Sequence, residues 1–271
     1  MPELAEVEYA RKLWDPGVGA RVTRVLLHPG ARIFRGIDAA EFAAALEGTT
    51  LLGSEARAKQ MLFRFGKSSK TTRWLGIHLG MTGDLRVERH DFAPQKHDHL
   101  VLRQAKRALV FKDARTFGRV RLHVGPEVPI WWSNLPPAVT SDEFTLDRMR
   151  AFLKRRSGTS IKAVLLIQEF FPGVGNWMAD EILWRARVSP KARVGRLTAA
   201  QVKALWHESR EVCRIALETV GAGDADPPKG WLFHARWSAK GICPRCQTKL
   251  KTATVGGRTT RWCPTCQRAR S

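Results

Sequence analysis

The spacing of apolar positions changes character twice along the chain. Between residues 3 and 14 they recur at helical intervals, at Leu4, Val7, Ala10 and Trp14, which predicts a helix with one buried stripe. Glu3 and Glu6 lie three apart and share a neighbouring face of it. After Gly17 and Gly19 the pattern turns strand-like at 21–28 and at 51–52. Between these, Asp38 and Glu41 form a capping box ahead of the apolar run 42–46, which Gly48 closes. From 57 to about 125, short apolar runs at 61–65, 73–78, 83–88, 100–103, 108–111 and 118–124 alternate with glycine and polar breaks. That rhythm predicts an antiparallel sandwich or barrel.

Residues 126–140 carry Pro126, Pro129, Pro136 and Pro137 and read as an irregular linker, with Trp131-Trp132 serving packing. Beyond Thr140 the spacing is helical again. Thr145 caps a run with Leu146, Met149, Phe152 and Leu153 in register. Further helices are expected at 161–170, at 176–187 and at 199–220, the last opened by a Thr198/Gln201 capping box. Residues 221–231 read as a flexible loop, and a basic module closes the chain. The expected organisation is α+β and multidomain: 1–125, a linker at 126–140, a helical domain at 141–225 and a small module at 232–271, with no internal repeat.

Composition narrows the function. Against 46 Lys and Arg stand 25 Asp and Glu, a formal net charge of +21 at pH 7. Such an excess suits a polyanionic partner, and nucleic acid is the usual one. A membrane surface would call for a basic amphipathic helix or a lipidation site, and neither is present. No stretch of about eighteen apolar residues and no signal peptide occurs, so a soluble, cytoplasmic protein is expected. Cys213, inside a helical stretch, reads as a buried, inert thiol.

Several motifs carry chemistry. Cys243-Pro-Arg-Cys246 and Cys263-Pro-Thr-Cys266, sixteen residues apart, supply four thiolates for one tetrahedral, structural zinc, and Gly256-Gly257 supplies a hairpin turn between them. Phe171-Pro-Gly-Val-Gly-Asn176 feeds a helix N-terminus. It is either a phosphate cradle or simply a tight turn. Lys59, ahead of an apolar strand, is either a cleft lysine or a solvated strand end. Arg115 and Phe117 sit two apart on a loop, a spacing that suits a wedge into a base stack. At the start, Pro2-Glu3 offers a secondary amine beside a carboxylate. An α-amine, with a reference pKa near ~8, is partly unprotonated at neutral pH and can form an iminium. The same pair is ordinary helix-start chemistry, and the stretch alone does not choose.

Taken in order, these residues resemble the formamidopyrimidine-DNA glycosylase (MutM) family, related to the endonuclease VIII branch. The resemblance runs nearly end to end: Pro-Glu-Leu-x-Glu-Val-Glu from Pro2, Arg-x-Lys at 57–59, His-Leu-Gly-Met at 78–81 and Lys-His-Asp-His at 96–99. It continues through Asp-x-Arg-x-Phe-Gly at 113–118, Gly-Val-Gly-Asn at 173–176 and the four-cysteine finger. It implies an N-terminal helix with a β-sandwich, a helix–two-turn–helix domain and a zinc-finger hairpin, gripping double-stranded DNA as a monomer. It implies excision of oxidised purines followed by β,δ-elimination at the abasic site. By the same resemblance Pro2 is the nucleophile and Glu3 its acid, Lys59 contacts the lesion phosphate, and Arg258 serves the second elimination. Met81, Arg115 and Phe117 fill the void left by the extruded base, and His78, His97, Lys154, Arg156 and Asn176 hold the backbone. Three features depart from the family: Ala5 for proline, Thr116 for a second arginine, and the short 221–231 loop in place of the family's lesion-capping stretch. The last leaves base preference open between oxidised purines and pyrimidines. A DNA-binding protein without catalysis is the alternative of another class, and Pro2, Glu3 and Lys59 together speak against it.

Overall fold

The computed structural model describes residues 1–28, 30–66, 72–223, 225–238 and 240–268. The chain divides into two compact units, Met1–Pro2 with Glu6–Leu135, and Glu3–Ala5 with Pro136–Ser271.

The first unit holds most of helix α1 (Leu4–Lys12), β1 (Val22–Leu27), α2 (Ala39–Leu46), β2 (Thr50–Arg57), β3 (Gln60–Gly66), β4 (Thr72–His78), β5 (Gly83–Arg89), β6 (Asp98–Gln104), β7 (Arg107–Asp113), β8 (Arg119–Val124) and the one-turn α3 (Ile130–Ser133). The strands form two four-stranded antiparallel sheets, ordered β1-β6-β7-β5 and β2-β3-β4-β8. Strand alternation builds the core between them: Met61, Phe63, Phe65, Leu75, Ile77 and Val120 from one sheet meet Leu85, Leu100, Leu102, Leu109 and Phe111 from the other. Val7, Ala10 and Trp14 of α1 join the same core, as the opening stripe predicts. The Asp38 side chain caps α2 by accepting from the Glu41 N–H.

Two expectations change here. The strand expected at 51–52 runs over Thr50–Arg57, because a register shift between Leu51 and Gly53 lets the pairing with β3 continue past the polar stretch. The supposed irregular linker contains α3, whose Trp132 is buried against Leu62 and Trp74 and donates from Nε1 to Glu55 at 3.0 Å. Proline at its N-cap costs the helix nothing, and the tryptophan pair is packing, as expected.

The second unit contains α4 (Leu146–Lys154), α5 (Ile161–Leu165), α6 (Asn176–Arg185), α7 (Ala199–Glu218), the single turn α8 (Leu232–Ala235) and the hairpin β9 (Lys251–Val255) and β10 (Arg258–Trp262). Its core joins Met149, Ile161, Leu165, Phe171, Met178, Ile182, Leu205, Val212 and Cys213. Thr145 and the Thr198/Gln201 box cap α4 and α7. Gly256 and Gly257, both at positive φ, make the hairpin turn.

The helix expected at 161–170 stops at Leu165. The Gln168 amide donates to the Leu166 and Val174 carbonyls and accepts from the Gly173 N–H, so the chain turns back instead of propagating. The 221–231 stretch is not wholly loose either. Val220–Ala222 forms a 3₁₀ turn and Trp231 is buried; Asp224 lies outside the described residues, as do Ala239 and 269–271 of the final module. Among the described residues no helix is long and apolar enough to cross a membrane.

Candidate active site

Glu3 is the most firmly placed of the expected site residues. It is 3% exposed, and its carboxylate occupies the N-terminus of α6: Oε2 accepts from the N–H groups of Gly175 at 3.0 Å and Met178 at 3.1 Å, Oε1 from Trp177 at 2.9 Å. The free donors of a helix start and its dipole favour an anion there. The anion on the Gly175, Trp177 and Met178 N–H groups is the chain's own carboxylate, so these three donors are not open to a phosphate. Gly175 is required by this contact, since a Cβ would lie 2.2 Å from the Glu3 Cδ. The Leu4 N–H donates to the Gly173 carbonyl at 3.0 Å and fixes the adjoining backbone. Pro2 itself is half-buried.

Asn176 opens α6, and its Nδ2 donates to the Thr259 carbonyl of the finger hairpin at 2.8 Å, while its Oδ1 is buried without a protein partner among the described residues. That bond sets the hairpin against α6, with Arg258 exposed beside it. Beneath them, Asp180 receives Lys162 at 2.6 Å on one oxygen, and Arg236 at 2.7 Å and the Arg261 N–H at 3.2 Å on the other. Lys162 also donates to the Asn176 carbonyl at 2.7 Å. Burial pushes the Lys162 ammonium below its usual value, and Asp180 opposes that. Nothing in the sequence pattern singled out this buried network; its signal is two charged residues, Lys162 and Asp180, at positions that helical spacing assigns to the core. Next to it Glu181 is pushed up to about 8 by burial, its Oε2 accepting from the Phe233 N–H.

Lys154 is exposed at the end of α4, whereas Arg156 folds back with its guanidinium 3.7 Å from the centroid of the Phe152 ring. The four cysteine sulfurs lie within 4.8 Å of one another. A tetrahedral site with Zn–S near 2.3 Å separates its sulfurs by roughly 3.8 Å. Here Cys243–Cys266 measures 3.9 Å and Cys246 stands 3.4 Å from both Cys263 and Cys266, a spacing that fits one structural zinc. Trp184 Nε1 donates to the Cys243 sulfur at 3.3 Å, an outer-shell bond to the site. Cys213, fully buried, is pushed well above the usual thiol range and is inert, as expected.

In the first unit, Lys59 sits in the two-residue turn between β2 and β3, yet is only 8% exposed, so it is no solvated strand end. His78 lies within its field: burial, then Lys59 and Arg121, push the imidazole below its usual value, and Nδ1 accepts from the Gly80 N–H at 3.0 Å. Met81, 40% exposed, and Phe117, 48% exposed, stand on adjoining loops. Gly80, at φ +64°, packs so closely on the other loop that a Cβ would lie 2.5 Å from the Phe117 carbonyl carbon. Asp113, fully buried, ties the loops together. Its Oδ1 accepts from Thr82 Oγ1 at 2.7 Å and the Arg115 N–H at 3.2 Å, and its Oδ2 from the Gly118 N–H at 2.7 Å. Arg115 lies over the Phe117 ring at 4.7 Å. The structure thus gathers Met81, Arg115 and Phe117 into one protruding group. His97 lies in the loop before β6, its carbonyl accepting from the Asp113 N–H.

A two-sheet sandwich with the exposed Met81, Arg115 and Phe117 group, a glycine turn closed by a glutamate, and a four-thiolate finger mark a modular chain with one zinc-type metal site. Three family models match in the same order: the formamidopyrimidine-DNA glycosylase N-terminal domain over residues 1–120, its H2TH domain over 135–226, and the zinc finger found in FPG and IleRS over 242–269. The formamidopyrimidine-DNA glycosylase of Roseiflexus sp. strain RS-1 is 36% identical over 278 residues, covering 99% of this chain and 100% of that protein. That of Thermus thermophilus is 35% identical over 280 residues, 98% of each. A crystal structure of Lactococcus lactis Fpg (MutM) with an oxidised-pyrimidine-containing DNA aligns with a TM-score of 0.86 at 28% identity, covering 99% of this chain and 100% of that one. The chain belongs to the formamidopyrimidine-DNA glycosylase family and is a base-excision DNA glycosylase.

Proposed function

We propose that the chain excises oxidised purines, 8-oxoguanine and formamidopyrimidines, from double-stranded DNA and then cleaves the abasic strand, with Pro2 as nucleophile. The observation that carries this reading is the placement of Glu3. Its carboxylate is held by three N–H donors one residue from the proline amine, so an acid is fixed beside the nucleophile. Met81, Arg115 and Phe117 fill the stack once the damaged nucleotide is extruded. The Pro2 nitrogen then bonds to C1′, the C1′–base bond breaks, and ring opening at O4′, assisted by Glu3, leaves an iminium. The iminium acidifies the C2′ hydrogen, and its loss starts elimination of the two phosphates in turn. Lys59 holds the lesion phosphate and moves protons, Arg258 serves the second elimination, and His78, His97, Lys154, Arg156 and Asn176 hold the backbone. Residues 1–125 supply Pro2, Glu3, Lys59 and part of the backbone contacts, 141–225 supply the rest of the grip, and the finger at 232–271 adds Arg258. The enzyme acts in the cytoplasm as a monomer.

Pro2 is competent only when nothing precedes it, because a retained Met1 makes its nitrogen an amide. Borohydride trapping on abasic-site DNA with the chain beginning at Pro2 is the test. A covalent adduct is expected, weaker for Pro2→Gly, while Glu3→Gln binds and cuts poorly; absence of any adduct overturns the reading. The short 221–231 loop and the relative's complex with an oxidised pyrimidine favour a second substrate class. Cleavage rates on lesion duplexes, each opposite all four bases, rank purines against pyrimidines.

A further inference from the structure

The first unit carries a cleft of about 230 Å³ on the outer face of the β2-β3-β4-β8 sheet, walled by Arg35, His78, Phe117, Arg119, Arg121 and Trp131. Register explains its composition. Arg119 pairs with His78 and Arg121 with Gly76 across β8 and β4, whereas Val120 and Leu122 alternate inward to the core. Gly76 leaves room for Trp131, since a Cβ there would lie 2.3 Å from the indole edge. Arg121 covers the indole face, its guanidinium 5.3 Å from the ring centroid. No acid lines the cleft, and among the described residues Arg35, Arg119 and Arg121 take part in no ion pair. Arg35 only leans on the Gly118 carbonyl at 3.5 Å. Burial, and after it the neighbouring Arg119, pushes the Arg121 guanidinium below its usual value.

We propose that this cleft is an additional phosphate-binding site, seating a backbone phosphate of a nucleotide that flanks the Phe117 wedge. The inference rests on the DNA reading above and adds Arg35, Arg119 and Arg121 to the residues that hold DNA. Three guanidinium forks without a carboxylate match phosphate oxygens. A stacked base is the poorer occupant, because Trp131 turns its edge to Gly76 and its face to Arg121. Phe117 forms part of the wall, so DNA engaged by the wedge already lies at the mouth.

The test uses the full chain and a duplex with a tetrahydrofuran abasic analogue. Affinity is measured across salt concentration for wild type, Arg119→Ala/Arg121→Ala, and Arg35→Ala. Each lost phosphate contact should flatten the slope of log K against log salt by roughly 0.9. Arg89→Ala, which removes an exposed arginine paired with Asp91, should leave the slope in place. A scan of neutral methylphosphonates around the lesion should find a position that weakens wild type and not the double variant, with Arg119→Lys/Arg121→Lys partly restoring sensitivity. Equal slopes for wild type and both alanine variants, or equal methylphosphonate penalties at every position, overturn the site. Competition by free nucleoside monophosphate, without any methylphosphonate effect, assigns the cleft to a small ligand and overturns it as well. Failure of the wild-type chain to bind or cut lesion DNA is a different outcome, which removes the parent reading.

Discussion

Individual side chains in this protein are held at states that their surroundings impose. Glu181, its carboxyl pushed up to about 8 by burial, binds a proton in the folded chain between pH 4.5 and 8 that the unfolded chain releases. The unfolded state therefore binds fewer protons across that window, and stability falls as pH rises through it. Glu181→Gln should erase this slope, so its stability matches wild type near pH 4.5 and exceeds it at pH 8 to 9 by an amount on the order of a few kcal/mol; melting temperatures from calorimetry at both ends check it. Thr116 is strained for another reason: a β-branched residue at φ +53° sits on the wedge loop. Thr116→Asn should raise stability by about 1 kcal/mol, read as a shift in the denaturant midpoint at unchanged slope. Arg115 and Phe117 could be nominated from residue type and spacing, and Glu3 only through the resemblance that runs along the whole chain. The partner of Glu3 could not be, since its amides belong to a turn more than 170 residues away and amides leave no mark in a sequence.

At the scale of elements, the site depends on ends and turns more than on the bodies of helices and strands. The start of α6 is the clearest case, because its glycine turn exposes N–H groups to a carboxylate rather than to a ligand. Gly175→Ala places a methyl group against Glu3 and should displace the carboxylate. Cleavage of lesion DNA is expected to drop on the order of a hundredfold, the usual cost of a misplacement near 1 Å, while binding to the abasic analogue changes little. Equal losses in binding and cleavage would count against it. Strand and helix identities followed from periodicity with few exceptions, and the exceptions have local causes. Gln168 ends α5 early by satisfying three backbone groups with one side chain. The Trp131–Trp132 segment is ordered by packing on the sheet, although four prolines mark its surroundings as irregular. Propensity describes the chain before it meets its neighbours, and these two segments are decided by neighbours.

At the scale of the whole chain, cysteine spacing gave the zinc module directly, and net charge gave the class of partner. Neither could show how the finger is anchored, through Asp180, Asn176 and the Trp184–Cys243 bond. Chelating the metal removes the charge that keeps four thiolates together, and the module at 232–271 cannot hold its fold on a small core. We expect chelation to weaken DNA binding at least tenfold and to shift tryptophan emission through Trp184, while β-sheet circular dichroism from the sandwich persists. Loss of the sheet signal would mean that the first unit depends on the finger. The Glu3 contact also has a consequence in time. Residue 3 leaves the ribosome long before Gly175, Trp177 and Met178, and at about 5–20 residues per second the interval is roughly 10–35 seconds. Throughout it the Glu3 carboxylate lacks the three N–H donors that hold it, although Val7, Ala10 and Trp14 of the same helix already have their sandwich core to pack against. Synthesis order thus makes the seating of Glu3 a late event, one that waits for the second unit.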